Sequence, residues 1–333
     1  MKRIAVYLFL IFLGGISGWF LSRYYYSPKK PQDAISQIKP RPLDKYAIEN
    51  LSKRPLNRNL ISQGETLQKQ KGDKGFTPYL FSFTTDGKKV TGQLNIPDGT
   101  GPFPAIIMIR GYVDQKIYET GIGTRKAGVI FAEAGFITVA PDFLGYAGSE
   151  KESSDIFESR FQTYTTVLDL ISSLRSINKW DNKNIFLWGH SNGGQIALTA
   201  LEVTQGAYPT VLWAPVSKPF PYSILYYTDE SDDRGKLIRH ELAKFEETYD
   251  VELYSLTNYS DRIKAPLQIH QGTADDAVPI AWTNELVEKF KKMETDVSYF
   301  KYAGADHNLS PAWQKVVERD LAFFKKHLAT DTP

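Results

Sequence analysis

The 333-residue sequence contains no cysteine. That absence excludes a disulfide framework, a thiolate nucleophile and any zinc site built on cysteine sulfur. Histidine is scarce too: His190, His240, His270, His307 and His327 are the whole supply, so a reaction that needs an imidazole base has few places to find one. No internal repeat, collagen-like period or bias toward disorder is visible. With 42% apolar and 23% charged residues there is ample material for one buried core. Charge of one sign is lacking over the chain as a whole, where the net is +2, but it is unevenly spread. Residues 1–60 hold eleven lysines and arginines against three acids, which leaves the other 273 residues at about −6. An acidic main body repels phosphates, so nucleic-acid binding is not expected of it.

One long apolar run is present. Ile4 to Leu21 are eighteen residues without a charge, lying between Lys2-Arg3 and Arg23, and that length crosses a bilayer core with little tilt. Trp19, Phe20 and the Tyr24-Tyr25-Tyr26 cluster suit an interfacial aromatic belt. The expectation is an uncleaved membrane anchor over residues 1–26, with a cleaved secretory signal as the rival reading. Basic residues on both flanks do not orient it. A short stub before a large domain is the layout of a signal anchor, which puts that domain outside the cytoplasm, or in the medium if the segment is cleaved. Residues 27–76 then read as a basic, proline-rich linker with a short helix over Leu43 to Leu51. Such a tether is attracted to anionic lipid.

From residue 77 to 330 the pattern is that of one α/β domain. Tyr79–Thr84 and Lys89–Ile96 alternate around Asp86-Gly87, a hairpin signal that opens the sheet antiparallel. Apolar strands follow at Ala105–Ile109, Phe136–Ala140, Asn184–Trp188, Thr210–Ala214, Leu267–Ile269 and Val297–Tyr302, separated by helical stretches. Continuous apolar strands of this kind belong to a mostly parallel sheet with helices on both faces. The rhythm breaks over residues 217–262, which read as a helical, lid-like insertion. Its tyrosines, Tyr222, Tyr226 and Tyr227 among them, either close an apolar acyl pocket or pack lid against sheet. Its acids Asp229, Glu230, Asp232 and Asp233 either meet a substrate amine or form a solvated turn.

Gly189-His190-Ser191-Asn192-Gly193 lies between the strand ending at Trp188 and the small-residue helix from Gly194 to Leu201. G-x-S-x-G in that context is a nucleophile elbow: the serine sits on a strained turn, and larger residues at the flanking glycines would strike neighbouring backbone. The free amide of Asn192, at the helix N-terminus, points to where an oxyanion forms. A second donor is expected from the loop after the first parallel strand, where Gly111 allows a turn and Tyr112 offers its amide. Arg110 beside them is either a surface or carboxylate-paired arginine or a substrate contact.

A serine needs a base to react at neutral pH, and this fold orders the partners Ser, Asp, His. His307 follows the strand at Val297–Tyr302 and is the expected base. His270 ends a strand and is the alternative, His190 suits packing or support of the site, and His240 and His327 fall on helices. Asp275, in the loop after Leu267–Ile269, is the expected acid, competing with Asp276, Asp306 and Asp142, any of which can instead cap a loop. Both loops leave the carboxyl ends of adjacent strands, where open α/β sheets bind ligands.

Four separated motifs resemble the catalytic domain of prolyl oligopeptidase-type α/β-hydrolases: Pro141-Asp142 through Gly145, Gly148 and Ser149; Trp188-Gly-His-Ser-Asn-Gly-Gly194; His270-Gln-Gly-Thr-Ala-Asp-Asp-Ala-Val-Pro279; and Gly304-Ala-Asp-His307. The likeness covers residues 77–328. It implies an α/β-hydrolase fold with Ser191, Asp275 and His307 in the triad positions, and neither metal nor organic cofactor. Residues 27–76 are too few for the β-propeller that filters peptides in full-length members. Stand-alone domains of this type include esterases and dienelactone hydrolase-like enzymes as well as peptidases. The expected substrate is therefore a small-molecule ester or a short peptide, cleaved through an acyl-enzyme. A membrane-tethered binding protein that keeps the fold without the activity is the alternative.

Overall fold

Asp86 and Gly87 both take positive φ, 47° and 77°, the geometry of a two-residue turn whose twist matches that of the strands it joins. They connect β2 (Phe76–Thr85) to β3 (Lys88–Pro97) in a ladder running from Phe76 opposite Pro97 to Thr85 opposite Lys88. A strand β1 (Ser62–Thr66) lines the outer edge of β2. The computed structural model describes residues 40–55, 59–70, 72–228 and 231–329.

Beyond the hairpin come β4 (Phe103–Ile109), β5 (Ile137–Pro141), β6 (Trp180–His190), β7 (Thr210–Trp213), β8 (Leu267–Gly272) and β9 (Val297–Tyr302). Among the described residues the sheet has nine strands in the order β1-β2-β3-β5-β4-β6-β7-β8-β9. β3 meets β5 antiparallel, and every pairing from β5 to β9 is parallel. The helices are α1 (Ile48–Ser52), α2 (Arg125–Glu133), α3 (Ile156–Ser173), α4 (Asn192–Thr204), α5 (Tyr222–Leu225), α6 (Lys236–Glu246), α7 (Ile280–Lys292) and α8 (Trp313–Lys326).

Alternation along the parallel strands divides the core in two. Ile107, Val139, Leu187, Leu212 and Ile269 face Phe161, Val167 and Leu170 of α3 and Ile196 and Ala200 of α4. Their neighbours Ile106, Met108, Phe186, Trp188, Val211 and Trp213 face Phe131 of α2 and Val316 and Phe324 of α8. Both faces are thus covered, as the unbroken apolar strands require. Each large side chain so buried contributes about 1.5–3 kcal/mol. Phe324 alone lies within 5.5 Å of the Phe131 ring and 5.2 Å of Phe186.

The catalytic body begins earlier than residue 77. A turn of 3-10 helix at Pro42–Tyr46 and helix α1 bury Leu43, Tyr46, Ile48 and Leu51, and β1 joins the sheet. Tyr46 sits 5.7 Å from the ring of Phe161 and donates to Glu158 at 3.1 Å. Elements of five residues have too few turns to show a period, so prolines and lysines dominate the reading and the segment looks like a linker. The expected membrane segment at residues 1–26 lies outside the described residues. Among those described, no helix is long and apolar enough to cross a membrane.

The insertion is helical, as its broken strand rhythm implies, and its aromatics divide by role. Phe220, Phe245 and Tyr254 pack on Phe157 and Phe161 of α3 at centroid distances of 5.1–6.3 Å. Tyr222, Tyr226 and Tyr227 stay partly exposed and gather on Trp282 of α7. Asp233 accepts from the amides of Gly235 and Leu237 at the start of α6, a solvated cap. Asp229 and Glu230 lie outside the described residues.

One residue of α4 is out of keeping with its surroundings. Glu202 is fully buried and neither carboxyl oxygen makes a hydrogen bond among the described residues. Burial drives its carboxyl well above the usual value of 4.5, with Lys289, Arg262 and the nearby Ser260 hydroxyl acting the other way. A group whose folded pKa is raised favours folding most fully below its unfolded pKa, and that advantage fades as the pH climbs toward the folded pKa. Glu202→Gln removes the ionisation. It is expected to raise Tm by about 2–4 °C at neutral pH, with the difference closing as the pH falls toward 4.5. Calorimetry of both proteins across that range checks it, and a gap that widened in acid would contradict the assignment.

Candidate active site

At the end of β6 the chain turns abruptly into α4 through Ser191, whose φ of 56° and ψ of −121° lie outside the regions ordinary residues favour. Such a conformation costs about 1–3 kcal/mol and persists only where neighbours impose it. Here the Ser191 amide donates to the Trp213 carbonyl at 2.9 Å, while the Ser191 carbonyl accepts from Gly194 at 2.9 Å and Val216 at 3.0 Å. The flanking glycines are sterically required. A Cβ on Gly189 would lie 2.6 Å from the Gly193 carbonyl oxygen, and one on Gly193 would lie 2.6 Å from the Arg110 carbonyl oxygen. The first turn of α4 therefore sits directly on the end of β4.

That contact brings the loop after β4 to the serine. A Cβ on Gly111 would stand 3.5 Å from Ser191 Oγ, and the backbone continues into Tyr112, whose side chain is 77% exposed. The amides of Asn192 and Tyr112 meet no acceptor among the described residues. Arg110 is neither on the surface nor paired to a carboxylate. It is buried, donates to the Gly111 and Asp142 carbonyls at 2.9 Å each, and lies over the rings of Tyr146 and Tyr118 at 4.0 and 4.4 Å. Its work is to fix the loop that carries Gly111 and Tyr112, with the tyrosine faces satisfying its charge.

On the far strands, Gly272 ends β8 where any side chain would strike the Asp306 carbonyl oxygen, 2.5 Å away. The loops after β8 and β9 can therefore interlock: Ala274 donates to the Ala305 carbonyl at 2.9 Å and Thr273 to that of Tyr302 at 3.0 Å. Asp275, its carboxyl out of solvent, reaches His307 Nδ1 at 2.9 and 3.0 Å. The Asp275 carboxylate also accepts from Ala277, Val278 and Gln271, and Thr283 orients Gln271 at 2.7 Å. Burial pushes the Asp275 carboxyl up. Its bonds to His307 and the Val278 amide outweigh that, and the group is held below its ordinary value. An ionised carboxylate only accepts, so Nδ1 carries the imidazole proton and Nε2 is left to accept one.

His190 joins the two halves. Its Nε2 donates to the His307 carbonyl at 3.0 Å and its ring lies 4.7 Å from that of His307. Burial, with the adjacent His307 adding to it, brings His190 down to about 4, so the donor stays a neutral imidazole. No hydrogen bond closes between Ser191 Oγ and His307 among the described residues. Such bonds commonly tighten only when substrate binds.

The alternatives occupy other places. His270 is wholly buried between Tyr302, at 2.8 Å, and Asp320, at 2.9 Å. His240 is exposed on α6, and His327 at the end of α8 packs on Phe323. Asp276 is exposed, while Asp306 caps the amides of Asn308 and Ser310. Asp142 is engaged by Thr91, Tyr118 and Thr120. Two members of the site carry little sequence signal: Gln271, read only as part of a longer motif, and Arg160 of α3, whose Nη1 lies 3.4 Å from Asn192 Oδ1. Arg160 stands in the middle of a helix with nothing in its spacing to mark it.

A serine on a strand-to-helix turn of a mostly parallel sheet, with an aspartate-bound histidine two loops away, defines an α/β-hydrolase. Residues 124–331 match the model of the prolyl oligopeptidase family. The chain belongs to that family and is a serine hydrolase. It is 26% identical over 257 residues to an uncharacterized peptidase, YtmA, of Bacillus subtilis, covering 75% of this chain and 93% of that protein. With the acetyl esterase Axe7A of Xylanibacter ruminicola it shares 25% identity over 223 residues, 61% of this chain and half (50%) of the esterase. Among solved structures, an acetyl xylan esterase from Paenibacillus sp. R4 superposes with a TM-score of 0.63 at 17% identity, covering 88% of this chain and 99% of the esterase, a likeness of fold.

The interlock of the two loops can be tested at its tightest point. Gly272→Ala forces the loop bearing His307 away from that bearing Asp275. Labelling of the protein by a fluorophosphonate is expected to slow by about a hundredfold while far-ultraviolet circular dichroism is unchanged. Wild-type labelling rates in the variant would show that the loops have room to spare.

Proposed function

We propose that Ser191 is the nucleophile, His307 the base and Asp275 the acid of a triad that hydrolyses small esters and short peptides. Ser191 Oγ bonds to the substrate carbonyl carbon as its proton passes to His307 Nε2, and the oxyanion falls to the amides of Asn192 and Tyr112. His307 then gives that proton to the departing alcohol or amine as the carbon–leaving-group bond breaks. Water repeats the sequence on the acyl-enzyme and releases the acid. Asp275 fixes the tautomer and steadies the imidazolium without taking the proton. The observation that carries this reading is the His307–Asp275 pair, 2.9 Å apart, tied by a hydrogen bond to His190, the residue before Ser191.

Within this proposal, ester cleavage is favoured over long-peptide cleavage. The names of the acetyl esterase and the acetyl xylan esterase among its likenesses point the same way. The same proposal places the domain outside the cytoplasm, tethered by the apolar run at Ile4–Leu21.

Ser191→Ala is expected to lower turnover of a p-nitrophenyl ester by a thousandfold or more, roughly, with Tm unaffected. Asp275→Asn should cost on the order of ten-thousandfold by presenting the wrong tautomer. Steady-state kinetics on both variants decide the matter, and near-wild-type turnover in Ser191→Ala would overturn the assignment.

A further inference from the structure

Arg160 projects from the first half of α3 toward the residue that follows the nucleophile. Its Nη1 lies 3.4 Å from Asn192 Oδ1, and its remaining polar neighbours are the phenols of Tyr146, Tyr164 and Tyr227. The contact with Asn192 is what places the guanidinium beside the turn at Ser191. The side chain is half-buried, and among the described residues no carboxylate pairs with it. Arg54 and Arg262 are matched by Asp86, Asp169 and Glu49, whereas Arg110, which also lacks a carboxylate, is held by two carbonyls and two tyrosine rings. Burial lowers Arg160 from its ordinary value, and it raises Tyr146, Tyr164 and Tyr227, which stay neutral acceptors. Withdrawing a cation from water without a counter-charge is costly. A guanidinium beside Asn192 with no carboxylate partner among the described residues is open to an anion that arrives with a substrate.

We propose that Arg160 binds a carboxylate carried by the substrate a short chain away from the scissile carbonyl, so that the enzyme acts on acidic esters or amides. The planar fork of a guanidinium takes a carboxylate through two parallel hydrogen bonds, which fixes orientation as well as charge. The carboxylate belongs either to the acyl group, as in a monoester of a dicarboxylic acid, or to the leaving group, as at a peptide C-terminus. Asn192 links this contact to the reacting carbon, because the guanidinium that holds the anion also holds the side chain beside the oxyanion amide. The proposal rests on Ser191 being the nucleophile.

The test compares matched esters on the full chain. Mono-p-nitrophenyl glutarate is set against p-nitrophenyl butyrate for the acyl side, and 4-acetoxybenzoate against phenyl acetate for the leaving-group side. One acidic ester is expected to exceed its neutral partner in kcat/KM by roughly ten- to a hundredfold. Whichever pair shows the preference locates the carboxylate. Arg160→Gln should bring that ratio to about one, and Arg160→Lys should keep part of it. No preference in either pair, or a preference that survives Arg160→Gln, overturns the proposal. Should Arg160→Gln fail to fold, competitive inhibition of the wild type by glutarate and not by glutaramide supports it, and equal inhibition by the two overturns it. Fluorophosphonate labelling separates the two levels. Absent labelling defeats the nucleophile assignment, whereas labelling without acid preference defeats only the carboxylate site.

Discussion

The first turn of α4 lies so close to the end of β4 that only hydrogen fits at residue 193. Much else follows from that approach. It leaves Ser191 no ordinary backbone conformation, so its hydroxyl stands clear of the turn. It also brings the Gly111–Tyr112 loop beside the amide of Asn192. The strain is carried by the amides and carbonyls of Ser191, Gly194, Trp213 and Val216, all in or beside the parallel sheet. Rigid secondary structure thus holds the turn, and the loops only present what the sheet has fixed.

A second close approach, at Gly272, lets the loops after β8 and β9 lace together. In both places a missing Cβ converts proximity of strands into proximity of functional groups. His190 then spans the two constructions, donating from the elbow to the backbone of His307. Its place immediately before Ser191 has a clear geometric sense: the turn at Ser191 leaves His190 directed toward β7 and the loop after β9.

Much of this was legible in the chain because the signals are local. Gly189 and Gly193 around Ser191, Asp86-Gly87 between alternating strands, and runs such as Ala105–Ile109 each report on structure within a few residues of themselves. Of the five histidines, His307 is the one that meets a loop carboxylate beside the elbow among the described residues, since His270 is consumed by Tyr302 and Asp320 in the core. What escaped reading depends on contacts across long separations. The short helix expected over Leu43 to Leu51 reads as part of a proline-rich tether, and its place in the domain shows only where Tyr46 meets Phe161, more than a hundred residues on. Arg110 and Arg160 are likewise defined by tyrosines from other elements, and nothing near them in sequence announces it.

Glu202 sits on the helix that follows Ser191, three turns from its start, with no hydrogen-bond partner for its carboxyl oxygens among the described residues. In alkaline solution the carboxyl is driven to ionise, and the helix must either yield that side chain to water or bear a bare charge in its core. The elbow geometry depends on the helix staying seated on β4. High pH therefore bears on the seating of this helix and, through it, on the turn at Ser191.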